Sequence, residues 1–590
     1  MAKITPNTSF ADYFLDSLNP LHKQYLALRM FFADGCSAEQ AASKYGYTLS
    51  AFYSLIRDFK SKMAQGGGDP FFKETKPGRK KLDHEGEIKS LVVAYRKKYL
   101  SVPEIKAILD AQQVIVSERY IASLLAEEGF ARLPRREDLV RNHISVSQPA
   151  SVLTAAQRSE PINLEPERFS SQLAGVLLFL PIIKNYGIDE IIMNSEYPET
   201  AAISRLSAIL SFLALKLSGI ERYSMDDAWC MDRGMGLFAG LNVLPKTAWF
   251  SSYSSGVTRA MNLSLLHGLR KLWQENGLLS ETVNLDFTAI PYWGDNEPFE
   301  NNWSGKRSKA LASIQAVLAQ DPDSGIICYG DTTIRHRNEK NVIMEFLDFY
   351  HSDVKNPIAN CLVFDSKFTT YQNLNALNKQ GYKFITIQRR CKKLINRINA
   401  VPKQDWKDIR VPCANGKYRT VTVFEERAAL SDYDGAIRQV FITGSGRIKP
   451  AVLITNDFTR TLTDLIRKYG QRWLVEKDIA EQVHFFHLNR NSSGIVVKVD
   501  FDLVMTILAH NLYRLFALDI DGYSHCESKA IFNKFILNAG EVIIGKDDIS
   551  VYLKKKRTLP LVLDKLSSFP SLSFHWLGGK NLLFSAANSS

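Results

Sequence analysis

Residues 19–60 carry apolar side chains at three- and four-residue spacing, the period of helices half-buried on one face, interrupted by turn residues. Ser37 is an N-cap for the helix AEQAASK, Gly46 ends that helix, and Thr48 caps the next one, LSAFYSLIRDFKSK. Ala42, Gly46, Phe52 and Leu55 stand where two helices cross closely around a glycine turn, which is the spacing of a helix-turn-helix. A plain helical hairpin has the same pattern. In the DNA-binding reading, Thr48, Ser50, Tyr53 and Arg57 are the candidate contacts.

The punctuation recurs further along. Ser101-Val-Pro-Glu104 is a capping box with proline at the helix start, and Ser117 caps ERYIASLLAEE, which Gly129 closes. Ser117 and Arg119 are the candidate contacts of this second unit. Between the two units lie GGGDP (66–70) and a basic run holding Lys76, Arg79, Lys80 and Lys81. Such a run suits a DNA minor groove, or is a solvated linker.

From 170 to 279 the pattern is helical and apolar, with Ser195 and Ser224 as possible caps and no evident chemistry. At Glu281 the period changes to that of strands. TVNLDFT is strand-like, ASIQAVLAQ and IICYGD form a hairpin around the turn DPDSG, a helix spans 341–351, and CLVF is an apolar strand that ends on Asp365. A helix to Gly381 and the strand 383–388 follow. The order strand, hairpin, helix, strand, helix, strand is that of an RNase H-like fold, in which the first and fourth strands are neighbours. Four further strand-like runs lie between 392 and 457. The stretch 461–488 is helical with a weak point at Gly470, and the chain after Val499 reads as mostly helical.

Composition narrows the class. With 590 residues, a hydrophobic fraction of 45% and a charged fraction of 23%, this is a folded, multidomain chain. Lys plus Arg number 74 against 62 Asp plus Glu, a net charge of +12, which favours a polyanionic partner. Seven cysteines show no CxxC spacing, as expected of thiols in a reducing compartment. The N-terminus lacks an apolar signal core, and the stretches 174–183 and 206–215 are about half the length of a membrane span, roughly 20 residues. A cytoplasmic, nucleoid-associated protein without membrane contact is expected.

Asp286 within the first strand and Asp365 at the end of the fourth would lie side by side. Adjacent carboxylates repel unless a cation sits between them, and hard oxygen donors suit Mg²⁺. Asp295, Asp321, Asp323 and Asp331 are rivals, and any one of these aspartates alone reads as a cap. Tyr469, Arg472 and Glu476, spaced by three and four, share one helix face, where Glu476 would complete the set and Arg472 would hold a phosphate or orient it. The plainer reading is an Arg472–Glu476 surface pair. Glu481 is the rival third carboxylate.

Tyr469-x2-Arg472-x3-Glu476 resembles the Tyr-Arg-Glu-Lys signature of DDE transposases of bacterial insertion sequences, and LDFTAIPYW and LVFDSKFTTYQNL resemble their first two acidic motifs. The resemblance covers about 280–490. It implies an RNase H-like catalytic domain, two divalent metals (Mg²⁺, with Mn²⁺ substituting) and Asp286, Asp365 and Glu476 as catalytic and metal-binding residues supported by Tyr469 and Arg472. The family's lysine position falls on Val483, with Lys477 and His484 nearby. A β-rich insertion that contributes to DNA binding is also implied, and Arg389, Arg390, Lys392 and Lys393 at its entrance are candidate phosphate contacts.

The expected multidomain α/β organisation is a helix-turn-helix at 1–65, a basic flexible linker at 66–82, a second helix-turn-helix at 83–145 and a helical domain at 146–279. Catalytic parts at 280–390 and 458–500 flank the insertion at 391–457, and a mostly helical region at 501–590 follows. The expected activity is metal-dependent cleavage of terminal inverted repeats in double-stranded DNA and transfer of the 3′-OH strands to target DNA, by a homodimer or larger complex. A nuclease or resolvase without strand transfer, and a DNA-binding regulator with a dead site, are the alternatives.

Overall fold

The structure is a computed structural model, and it describes residues 20–64, 71, 87–97, 100–111, 114, 116–128, 130, 162–222, 225, 229–291, 300–304, 309–336, 339–351, 360–368, 370–389, 391–412, 418–443, 450–488, 496–569 and 572–587. The chain divides into two compact units, residues 1–85 and 86–590.

The described residues of the first unit form three helices, Pro20–Phe32, Ala38–Lys44 and Leu49–Ala64, around Ala27, Leu28, Ala41, Ala42, Phe52 and Ile56. Ser37 and Gln40 form a full capping box, Gly46 has a φ of 65°, and the Thr48 hydroxyl accepts from the Ala51 amide at 3.2 Å. Small alanines at the crossing let the helices approach, while Phe52 fills the space behind them. Phe71, inside the segment expected to be a free linker, packs edge-on to Tyr25 and stacks on Phe59. The rest of that linker lies outside the described residues.

The second unit opens with another three helices, Glu87–Lys97, Val102–Ala111 and Glu118–Glu127, packed through Val92, Ile105, Leu109, Ile121 and Leu125. The Ser101–Glu104 capping box and the Ser117 cap are both formed.

Strand β1 (Glu167–Ser171) precedes a helical layer over 174–275. Ser204, Asp232 and Thr258 cap helices there. Ser195 does not; its hydroxyl donates to the Ile192 carbonyl at 2.6 Å, and Ser224 lies outside the described residues. The central sheet comprises β2 (Thr282–Pro291), β3 (Asn301–Ser304), β4 (Lys309–Gln320), β5 (Ile327–Ile334), β6 (Cys361–Phe364), β7 (Lys383–Ile387), β8 (Lys407–Pro412), β9 (Tyr418–Ala428), β10 (Ile437–Thr443) and β11 (Ala451–Thr455). Its path is β3-β4-β2-β6-β7-β11-β10-β9-β8, with β5 also on β4. β2, β6 and β7 are mutually parallel. Central parallel strands are covered on both faces, which is why CLVF and KFITI read as near-continuous apolar runs. Strands β8–β11 extend this same sheet, because β11 pairs antiparallel with β7.

The expected single helical stretch over 461–488 is two helices, Leu462–Gln471 and Trp473–His484. The break falls at Arg472 rather than Gly470. The Arg472 amide bonds to the Tyr469 carbonyl and the Val475 amide to the Arg472 carbonyl, both tight three-residue turns.

Helix Val496–Asp519 is 24 residues long and apolar enough by length and composition to cross a membrane, but 83% of its most apolar window is buried inside the fold. Its Asp500 is buried and bonded to Arg259 at 2.8 Å and Asn262 at 2.7 Å, as a buried charge requires. The region after it is not mostly helical. Strands β12 (Gly540–Ile544), β13 (Asp548–Leu553), β14 (Ser573–Phe574) and β15 (Lys580–Ala586) form a five-stranded sheet with β1, in the order β1-β12-β13-β15-β14.

Candidate active site

Asp286 and Asp365 come together through strand register. In the parallel pair β2 and β6, Leu285 stands opposite Phe364, and Asp286 and Asp365 are the residues that follow them. Asp286 is 8% exposed; Asp365 is half-buried just past the end of β6. One Asp286 oxygen accepts from the Phe287 amide at 2.8 Å, and one Asp365 oxygen from the Ser366 amide at 2.5 Å.

Alternating residues of β2 point to one face. Thr282, Asn284 and Asp286 form such a series, and each meets the helical layer formed by Leu462–Gln471 and the junction after it. The Lys468 ammonium donates to the Thr282 hydroxyl at 2.7 Å, the Asn284 amide to the Gln471 carbonyl at 3.2 Å, and the Arg472 guanidinium to the Asp286 carboxylate. The helix break therefore sits directly over β2 at Asp286. Sequence reading overlooked Thr282, Asn284 and Lys468, although the polar alternation T-x-N-x-D against Val283 and Leu285 marks that face.

Arg472 is only 5% exposed and engages Asp286, so the reading of it as half of a surface pair fails. The shared single-helix face fails as well, since Tyr469 and Glu476 lie on different helices. The Arg472 guanidinium lies 5.4 Å from the Tyr469 ring centre. Burial raises the Tyr469 hydroxyl to about 12; Arg472 opposes the rise and the nearby Asp365 and Asp286 add to it. Tyr469 is thus a neutral hydroxyl in the field of both aspartates. Glu476 lies on helix Trp473–His484; its side chain falls outside the described residues.

The rival carboxylates have structural partners. Asp321 caps its own turn, accepting from the Asp323 and Ser324 amides and from Ser280. Asp331 accepts from the Thr333 amide and hydroxyl at 2.7 and 2.6 Å and lies 3.5 Å from Arg259. Glu481 is buried, 3.3 Å from His510, and accepts from the Ser528 amide. Burial alone would raise its pKa, but these partners hold it below the ordinary value. Asp323 is exposed on the turn, and Asp295 lies outside the described residues. Lys477 pairs with Glu527 at 2.9 Å.

Among the expected DNA contacts, Ser50, Tyr53 and Arg57 are exposed along one face of helix Leu49–Ala64, with Tyr53 at 55%, behind the Thr48 cap. Arg119 is exposed beside the Ser117 cap, and Arg389 and Lys392 are exposed where the chain leaves β7. Lys76, Arg79, Lys80, Lys81 and Arg390 lie outside the described residues, as does the side chain of Lys393.

Asp286 and Asp365 thus lie at corresponding positions of two adjacent central strands, with Arg472 bound to Asp286. Residues 283–512 match the transposase DDE domain. This match supports a DDE-type transposase. The DDE-domain segment begins one residue into β2 and ends within helix Val496–Asp519, so it contains Asp286, Asp365 and Glu476 together with β8–β11. No curated protein matches the sequence. Among solved structures, a piggyBac transposase synaptic complex with hairpin DNA is similar at 11% identity and a TM-score of 0.35, over 63% of this chain and 82% of that one.

Proposed function

We propose that this chain is a DNA transposase of the bacterial insertion-sequence type. It cleaves the terminal inverted repeats of its mobile element and joins the freed 3′-OH strands to target DNA. The match of 283–512 to the transposase DDE domain carries this reading. The register that makes Asp286 and Asp365 neighbours supports their role as two of the three catalytic carboxylates, and the sequence signature supplies Glu476 as the third. The order β5-β4-β2-β6-β7, with β2, β6 and β7 parallel, supports an RNase H-like core.

Among the described residues no group of three or more His, Cys, Asp or Glu side chains is placed to hold a metal ion. The donor chemistry nevertheless fits, because Asp286 and Asp365 offer hard oxygen ligands suited to Mg²⁺ or Mn²⁺. Such ions, when bound, supply an activated nucleophile and stabilisation of the leaving oxygen. The chain's own residues set up the site. Arg472 balances the charge of Asp286 and is a phosphate ligand of the right geometry. The Asn284–Gln471 and Thr282–Lys468 bonds fix the helix break that carries it. The two helical trios supply exposed basic and polar faces for end recognition, and a dimer on paired ends is the working form. Localisation is cytoplasmic, on the nucleoid.

The test is a strand-transfer assay on duplex DNA ending in the inverted repeats that flank the coding region, with Mg²⁺, Mn²⁺ or EDTA. Joined product with either metal and none in EDTA is expected. Cut DNA without joining would point to a nuclease or resolvase, bound but intact DNA to a regulator, and undiminished cutting in EDTA would remove the metal.

A further inference from the structure

Helix Glu118–Glu127 ends on Glu128, which is 6% exposed. Its carboxylate lies between two cations. Lys89, on helix Glu87–Lys97, approaches at 2.5 Å, and Arg335, the first residue past β5, stands at 3.5 Å. Arg335 also donates to the main-chain carbonyl of Glu128 and is itself 7% exposed. A guanidinium at this point meets the negative end of the helix dipole, a carboxylate and a carbonyl together. A pair this buried is not a surface bridge, and losing one partner strands a charge in the interior.

The location gives the clamp its meaning. β2 and β5 both pair antiparallel with β4, so they run the same way, and Asp286, Leu318 and Gly330 stand in register across the three strands. Arg335 lies five residues beyond Gly330, towards the end of the sheet on which β2 and β6 carry Asp286 and Asp365. At ~3.3 Å per residue and ~4.8 Å per strand, that puts it roughly 20 Å from Asp286. This is the length of roughly six base pairs of duplex. Ser117 and Arg119 sit on the helix that Arg335 holds.

We propose that the Arg335–Glu128 pair is a positioning device: it fixes the second helical trio at the carboxyl end of the catalytic sheet, so that DNA held on Glu118–Glu127 reaches the carboxylates in a single register. The proposal rests on the transposase reading and concerns where the cut falls rather than whether DNA binds.

The experiment uses the full-length chain as wild type, Arg335→Gln, Glu128→Gln and Arg335→Lys, with end-labelled duplex carrying the flanking inverted repeats. Affinity, single-turnover cleavage and cut position are read at one salt concentration, beside thermal unfolding. For the two glutamine variants, DNA affinity stays within about threefold of wild type. Their cleavage slows by about 10- to 100-fold, as misplacement of a reacting group costs, and the cuts spread over several nucleotides. Arg335→Lys keeps the charge and loses the fork, so it gives an intermediate spread, and it stands in if the glutamine variants do not fold. A single wild-type cut position at wild-type rate in folded variants overturns the proposal. So does a loss of cutting that merely follows a loss of binding. A wild-type chain that binds but neither cuts nor joins overturns the transposase reading instead.

Discussion

At the scale of single residues, Asp331 and Glu481 have structural partners, whereas Asp286 and Asp365 are neighbours across β2 and β6 and are proposed, with Glu476, as the catalytic set. Asp286→Asn, Asp365→Asn and Glu476→Gln keep side-chain shape and remove a charge. Each alone is expected to reduce cleavage by at least about 1,000-fold, because a catalytic set works as a unit. DNA binding survives in gel-shift titrations, since basic residues and helix ends supply phosphate contacts. Glu481→Gln and Asp331→Asn behave differently. Both residues are buried beside a cationic or imidazole partner, His510 and Arg259. Each change is expected to cost about 1–3 kcal/mol of stability, read as a lower urea midpoint, with cleavage per folded molecule nearly unchanged. A dead but fully stable Glu481→Gln would move the third carboxylate to that position.

At the scale of elements, two junctions invite tests. Arg460 ties the start of β2 to the entry of helix Leu462–Gln471 by contacting Glu281, Asp457 and Asp464. The hydrogen bond from Arg460 holds Glu281 below its ordinary value of 4.5, and Asp457 and Asp464 are also lowered, their hydrogen-bond and charge partners outweighing burial. A carboxyl whose folded pKa is depressed contributes stability that is present above its unfolded pKa and lost as pH falls through the folded one. Wild type should therefore lose stability as pH falls, roughly between pH 5 and pH 3, more steeply than Arg460→Gln does in urea titrations. The second junction is Gly175, whose amide donates to the Asn538 carbonyl at 2.9 Å. An added Cβ there would lie 2.1 Å from the Ile536 carbonyl oxygen, which is backbone and cannot yield. Gly175→Ala is expected to lower stability by about 1–3 kcal/mol in thermal unfolding, without changing the fold class.

At the scale of the whole molecule, unit boundaries decide which truncations are informative. A chain of residues 86–590 keeps the Glu128–Arg335 pair and is expected to unfold cooperatively while losing part of its specificity for the ends. Cutting at 145, the boundary expected from the sequence, removes Glu128 and leaves buried Arg335 without that counter-charge. Comparing the two by calorimetry should show a lower transition temperature for the shorter one. Equal melting of both would show that the second trio adds nothing to the body.

What the sequence settled by itself was local. Ser37, Thr48, Ser101 and Ser117 are read correctly as caps because a cap depends on residues within three positions of it. Apart from β3, the strands and helices from 282 to 387 are legible because their periods differ and turn residues separate them. Tertiary structure decided what depends on distant partners. Nothing local shows that the chain after helix Val496–Asp519 forms a sheet, since β12 pairs with β1, where Arg168 meets Glu541 across 373 residues. Neither does any local signal separate Glu481 from a catalytic residue; that required His510 and the Ser528 amide to be in place. Arg472 has the spacing of an exposed helical pair and is instead buried on Asp286. Three contacts from one face of β2 draw the helix junction down onto the sheet, and burial follows from that packing rather than from the residue's own preference.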